Sequence, residues 1–125
     1  MANETDAAAK ARTDLHNSLG RLAQKLRDSA SMRPGDIVLR LSGPAGGSYG
    51  LECSERDINV VESPAVGAER RPLIEVMGPA DVIRAIIDGE EDARRRFIAG
   101  GIRVRGDLRY LSDLALELGL LKEPL

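Results

Sequence analysis

The residues able to do chemistry are few and scattered. His16 is the only histidine and Cys53 the only cysteine, so neither a histidine–cysteine metal cluster nor an internal disulfide can form. Serines and carboxylates are present, yet none occurs in a nucleophile or metal-binding spacing. Glu52, Glu75 and Asp81 are the acids nearest to predicted apolar faces, and no feature singles one out. The stretch Ser42 to Ser48 (SGPAGGS) has the glycine content of a phosphate cradle. It lacks the lysine and the following helix of a P-loop, and no dinucleotide fingerprint follows, so it reads as a hairpin turn. The expectation is therefore no catalytic residue, no metal and no cofactor. Any enzyme activity would have to come from a shaped cavity with a few acids or bases acting on a hydrophobic intermediate.

Charge is concentrated in one place. Arg94, Arg95, Arg96, Arg103, Arg105 and Arg109 fall between residues 93 and 109, with Asp107 the only acid there. Arginines late in a helix complement its negative end, and Arg103 and Arg105 fit the solvent face of a strand. The sharper reading is that Arg96, Arg103, Arg105 and Arg109 meet the carboxylate or phosphate of an amphipathic ligand, or an anionic membrane surface. The chain as a whole carries a net charge of -2, which gives no general attraction to phosphate backbones. Tyr49, Phe97 and Tyr110 are its only aromatics, too few for the stacking platforms of single-stranded nucleic-acid binders. A nucleic-acid partner is not expected. The interior must be built from Leu, Ile, Val and Ala.

The elements that position these residues follow from periodicity. The first ten residues are small and polar and are expected to fray as a flexible N-terminus, with a single domain over 11–125. Leu15, Leu19, Leu22, Ala23 and Leu26 form one apolar stripe on a helix of about 16 residues. Met32 to Gly35 ends it, and Asp36 to Leu41 alternates as a strand with one buried face. Tyr49 to Cys53 returns as the second strand of a hairpin, with Cys53 read as a buried, inert thiol. Ile58 to Val61 is a third strand, Pro64 to Pro72 a loop, and Leu73 to Met77 a fourth strand. Gly78 to Asp81 starts a helix with Pro79 at its first position and Val82, Ile83, Ile86 and Ile87 on its apolar face; Gly89 closes it. Glu90 to Ala99 reads as a short helix and Ile102 to Gly106 as a fifth strand. Leu108 to Leu121 reads as a leucine-rich helix. Its stripe of Leu108, Leu111, Leu114, Ala115, Leu118 and Leu121 is widened by Leu116 and Leu120. Such a helix is buried on both sides, lines a pocket, or pairs with another subunit as a homodimer.

The segment Val76 to Leu121 resembles the second half of sterol-carrier-protein-2 domains, in the manner of a stand-alone bacterial member. The resemblance lies in the helix ending Ile86-Ile87-Asp88-Gly89 and in the run Phe97-Ile98-Ala99-Gly100-Gly101-Ile102-Arg103-Val104-Arg105-Gly106-Asp107. It covers about 45 residues; the first half agrees in element order. In their own right, Gly89 and Gly101 suit positive φ at helix ends, Gly106 ends a strand, Asp107 caps the last helix and Phe97 anchors the short helix. The resemblance implies an α/β (α+β) fold: a mixed five-stranded sheet with helices on one face and an apolar tunnel between the layers. It also implies a carrier of sterols, fatty acids or acyl chains, with a hydrophobic small molecule or lipid as partner. Family tunnels are often richer in phenylalanine and methionine than this chain, so the tunnel here is smaller, aliphatic, or collapsed around side chains. The residues expected to line it are Leu39, Leu51, Val76, Val82, Ile86, Phe97, Val104, Leu111, Leu114 and Leu118. The start lacks the apolar core of a signal peptide, and no apolar run nears the roughly 18 residues of a membrane span. A cytoplasmic location without stable membrane insertion is expected, and the LKEPL ending is no peroxisomal address.

Overall fold

The computed structural model describes residues 2–55, 57–62 and 71–125. Helix α1 spans Ala2–Arg27 and so begins well before its apolar stripe. The alanines at 7, 8, 9 and 11 favour helix intrinsically, while full burial starts only at Leu15, with Ala11 partly buried against the core before it. Leu15, Leu19, Leu22, Ala23 and Leu26 are all buried. Strands β1 (Gly35–Ser42) and β2 (Gly47–Cys53) form the predicted hairpin, followed by β3 (Ile58–Glu62) and β4 (Ile74–Pro79). Helices α2 (Ala80–Ile87) and α3 (Ala93–Ile98), strand β5 (Arg103–Gly106) and helix α4 (Leu108–Glu117) complete the order. The loop predicted over 64–72 falls, but for residues 71 and 72, outside the described residues.

Among the described residues the strands make one sheet in the order β3-β2-β1-β4-β5. β1 and β4 run parallel, and the other neighbours are antiparallel. The parallel step puts the central strand between Leu51 of β2 and Val76 of β4, with Leu39 level with Val76 and Val76 level with Val104. Because side chains alternate, Ile37, Leu39, Leu51, Ile74, Val76 and Val104 share the face that the helices cover. Buried residues of α1, α2, α4 and this face form one cluster.

Several expectations need correction. The outer face of β1 is closed over its first half, where Asp36 and fully buried Val38 stand, and is open at Arg40 and Ser42. This central strand is flanked on both sides, and the Arg40–Glu75 ion pair (3.2 Å) lies on the same outer face as Val38. Pro79 caps α2 rather than opening it, with extended backbone at φ -63° and ψ 138°. The positive φ after α3 belongs to Gly100 (+81°), not Gly101. Helix α4 stops at Glu117 rather than Leu121 because Gly119 (φ +78°) reverses the chain. There Leu120 N–H donates to the Ala115 carbonyl (2.8 Å), the hydrogen bond that closes a helix over a left-handed residue.

Glycine is required to different degrees at Gly89 and Gly106. Gly89 has φ +79° with open space where a Cβ would stand. Gly106 has φ +105°, and a Cβ there would come within 2.2 Å of the Leu73 carbonyl oxygen. Gly89→Ala is expected to cost about 1 kcal/mol and Gly106→Ala about 2 kcal/mol, since only the second adds a backbone clash to the conformational penalty. Urea unfolding of the two variants checks this order.

Candidate functional site

Between the sheet and the helices lies a cavity of about 120 Å³. Each element enters it for a reason visible in its own pattern. The sheet contributes Ile37, Leu39, Leu51, Val76 and Val104 through strand alternation. Helix α2 contributes Ile83, Ile86 and Ile87; α3 contributes Ala93 and Phe97 at i, i+4; α4 contributes Leu111, Leu114 and Ala115, and its C-cap Leu118. Of the ten residues read as candidate lining, nine stand around this space. Val82 does not. It is half-buried against the core one position round α2 from Ile83, which takes its place.

Several lining residues were not foreseen. Leu22 and Leu26 come from α1, whose stripe was legible but whose partner surface was not. Ile102, Leu120, Leu121 and Leu125 also line the cavity. The last three do so only because the turn at Gly119 brings the chain back. The returning segment is tied by Leu125 N–H donating to Ser112 Oγ (3.0 Å) and Arg94 Nε donating to the Pro124 carbonyl (3.2 Å). Leu108, at the start of the predicted stripe, is instead 44 % exposed.

No lining residue among those described carries a polar side chain. The three acids singled out above are all outside it. Glu52 and Glu75 alternate with Leu51 and Val76 and so lie on the opposite face of the sheet, where Glu75 meets Arg40 at 3.2 Å. Asp81 is exposed in the first turn of α2. By the same alternation Arg103 and Arg105 point away from the cavity that Val104 lines. Arg96 is engaged with Glu91 through two contacts of 2.7 and 3.0 Å, and Arg109 is exposed on α4. The arginine-rich stretch thus divides between two faces.

Polar contacts hold the frame from outside. Asp107 caps α4 by accepting from Tyr110 N–H (2.9 Å) and pairs with Arg33 Nη2 (2.7 Å). Arg33 N–H donates to the Tyr110 hydroxyl (2.8 Å), and its guanidinium lies 4.0 Å from the centre of that ring, a cation–π contact. His16 pairs with Glu62 at 2.7 Å and stands edge-on to Tyr49. It belongs to the α1–β3 seam, and no group of histidine, cysteine and carboxylates among the described residues could hold a metal.

Cys53 is buried on the helix-covered face. Burial, with a smaller effect from Asp36, pushes its thiol up to about 11. The native protein at pH 8 is therefore expected to resist a disulfide exchange reagent and to react promptly once unfolded in guanidinium, because only the thiolate is nucleophilic. Stoichiometric labelling of the native state would show the thiol to be accessible.

No family model matches the sequence, and no curated protein matches it. Solved structures do. Sterol carrier protein 2 from Yarrowia lipolytica in its apo form is similar at 22 % identity and a TM-score of 0.58, over 89 % of this chain and 86 % of that one. The fold is that of sterol carrier protein 2. A UbiJ-SCP2 ubiquinone synthesis protein is similar over 95 % of both chains (17 % identity, TM-score 0.56). Sterol carrier protein 2 like 2 from Aedes aegypti is similar at 16 % identity and a TM-score of 0.62, over 83 % of this chain and 95 % of that one. The palmitated form of that insect protein is similar at 15 % identity and a TM-score of 0.60, over 81 % and 90 %. Among the described residues no helix is long and apolar enough to cross a membrane.

Proposed function

We propose that the protein is a non-catalytic binding or carrier domain that holds the apolar part of a hydrophobic ligand in the cavity between sheet and helices. The observation that carries this reading is the composition of the wall: every lining residue described is aliphatic apart from Phe97. Such a wall gains only from removing hydrocarbon from water, at roughly 25 cal/mol per Å². It supplies neither acid nor base to a reaction, which weighs against a cofactor-independent enzyme. A carrier role is in keeping with the sterol carrier proteins of the same fold, one of them described as palmitated.

The size of the cavity bears on what enters. A dry apolar cavity of roughly 150 Å³ in another protein accepts benzene, so about 120 Å³ takes a short hydrocarbon segment without rearrangement. A sterol or a full acyl chain requires the half-buried members of the wall, such as Leu111, Leu118 and Leu120, to move outward. Native mass spectrometry of freshly purified protein, followed by organic extraction, is expected to find a bound sterol, fatty acid or other apolar metabolite. An empty protein that also fails to displace a fluorescent fatty acid would sink the reading.

A further inference from the structure

A second, more open groove of about 230 Å³ lies beside the C-terminal ends of α1 and α4, lined by Lys25, Asp28, Ser29, Glu117 and Leu118. Leu118 is a wall of both this groove and the aliphatic cavity. Helix α1 serves both spaces as well: Leu22 and Leu26 line the cavity, while Lys25 lines the groove. Resting on the reading of the cavity as the seat of an apolar chain, we propose that this groove receives the ligand's polar group. We further propose that it selects an uncharged hydroxyl or carbonyl over a carboxylate or phosphate.

Two steps lead there. An amphipathic ligand cannot put its polar atoms into the cavity, because no lining side chain described offers a hydrogen bond and an unpaired buried polar group is costly. The polar atoms must therefore emerge beside the wall, and the groove that shares Leu118 offers hydrogen-bonding partners there. The second step is charge. The groove sets two carboxylates, Asp28 and Glu117, against one ammonium, Lys25. Glu117 already accepts from Ser29 Oγ (2.9 Å) and Ala30 N–H (3.0 Å). The hydroxyls of Ser31 and Ser29 hold its carboxyl below the usual range, so it stays ionised. An incoming carboxylate meets two like charges. A hydroxyl can donate to Asp28 and accept from Lys25. Of the arginines read as headgroup contacts, Arg96 is engaged with Glu91, and Arg103 and Arg105 face away from the cavity.

Displacement of the uncharged dye Nile red tests this, with dodecane, 1-dodecanol and dodecanoate compared below their aggregation limits at pH 7.5 and low salt. The ratio of the dodecanoate to the dodecanol midpoint is the readout, because it cancels the chain. Asp28 and Lys25 are exposed, so their variants keep the fold. Asp28→Asn is expected to narrow the ratio about threefold and Lys25→Gln to widen it about threefold, the scale of partly screened charges. If dodecane displaces the dye while both variants leave the ratio unchanged, the polar-group site is wrong and the apolar seat stands. If none of the three displaces it, both readings fall together.

Discussion

Val104→Trp is expected to lower affinity for an apolar ligand by roughly a hundredfold while leaving the protein folded. Val104 sits on the edge strand β5, is half-buried and faces the cavity, so an indole there occupies the space that the proposed ligand needs. Excluding about four methylene groups at about 0.8 kcal/mol each removes roughly 3 kcal/mol of binding free energy, or about two orders of magnitude. Tryptophan is well tolerated in strands, and filling a void offsets part of any overpacking. Stability is therefore expected to change by less than about 2 kcal/mol. Dye displacement reports the first effect and urea unfolding the second. Unaltered affinity in a folded Val104→Trp protein would place the ligand elsewhere.

Asp88→Asn is expected to cost about 3 kcal/mol of stability at neutral pH. The Asp88 side chain is only 18 % exposed and is the acceptor at the centre of the α1–α2 contact. Ser18 Oγ, itself fully buried, donates to both of its oxygens at 2.8 and 3.0 Å. Arg21 Nη2 reaches it at 2.7 Å and Arg84 Nη1 at 2.8 Å, and Arg84 also meets Glu90 at 2.7 Å. Removing the charge leaves two guanidinium groups and a buried hydroxyl around a weaker acceptor, and hydrogen bonds to charged groups are worth about 1.5–3 kcal/mol each. Burial by itself would raise the Asp88 carboxyl, but the hydrogen bonds from Arg21, Ser18 and Arg84 outweigh it and hold the group below its ordinary value. A carboxyl lowered on folding stabilises the protein above its unfolded pKa, and that contribution is lost as pH falls through the folded value. The gap between the two proteins in urea midpoint is therefore expected to be full at pH 7 and to shrink below about pH 4. A gap independent of pH would mean that the ionised form carries no advantage.

Neither partner of this clamp stood out in the chain. Ser18 reads as one more polar residue of a helix flank and Asp88 as the residue before a closing glycine. Their 70-residue separation leaves no local trace. Arg33, Asp107 and Tyr110 show the same limit in part. The cap by Asp107 follows from the strand ending at Gly106, whereas the stacking of Arg33 on Tyr110 depends on where the loop after α1 is brought. The arginine-rich stretch was the strongest charge signal in the chain, and the structure spread it over two faces. Arg103 and Arg105 point together to the outer face of β5, while Arg96 and Arg109 stand on helices of the other layer, so a run of like charge along the chain does not make one surface patch.

Local physics was enough for the order of elements, for the apolar face of each helix and strand, and for the places where Gly89 and Gly106 must interrupt them. Short-range sterics and hydrophobic periodicity set those features, and both act over a few neighbouring residues. Nine candidate lining residues could be named for the same reason: one face of each element is apolar. Pattern alone does not separate a packed core from a cavity, because both demand the same residue types. That separation depends on the spacing left when α1, α2, α3 and α4 settle on one sheet face, and on the turn at Gly119 that brings Leu120, Leu121 and Leu125 back to the wall. The apolar character of the space was written in the sequence; its volume and its neighbouring polar groove came only with tertiary packing.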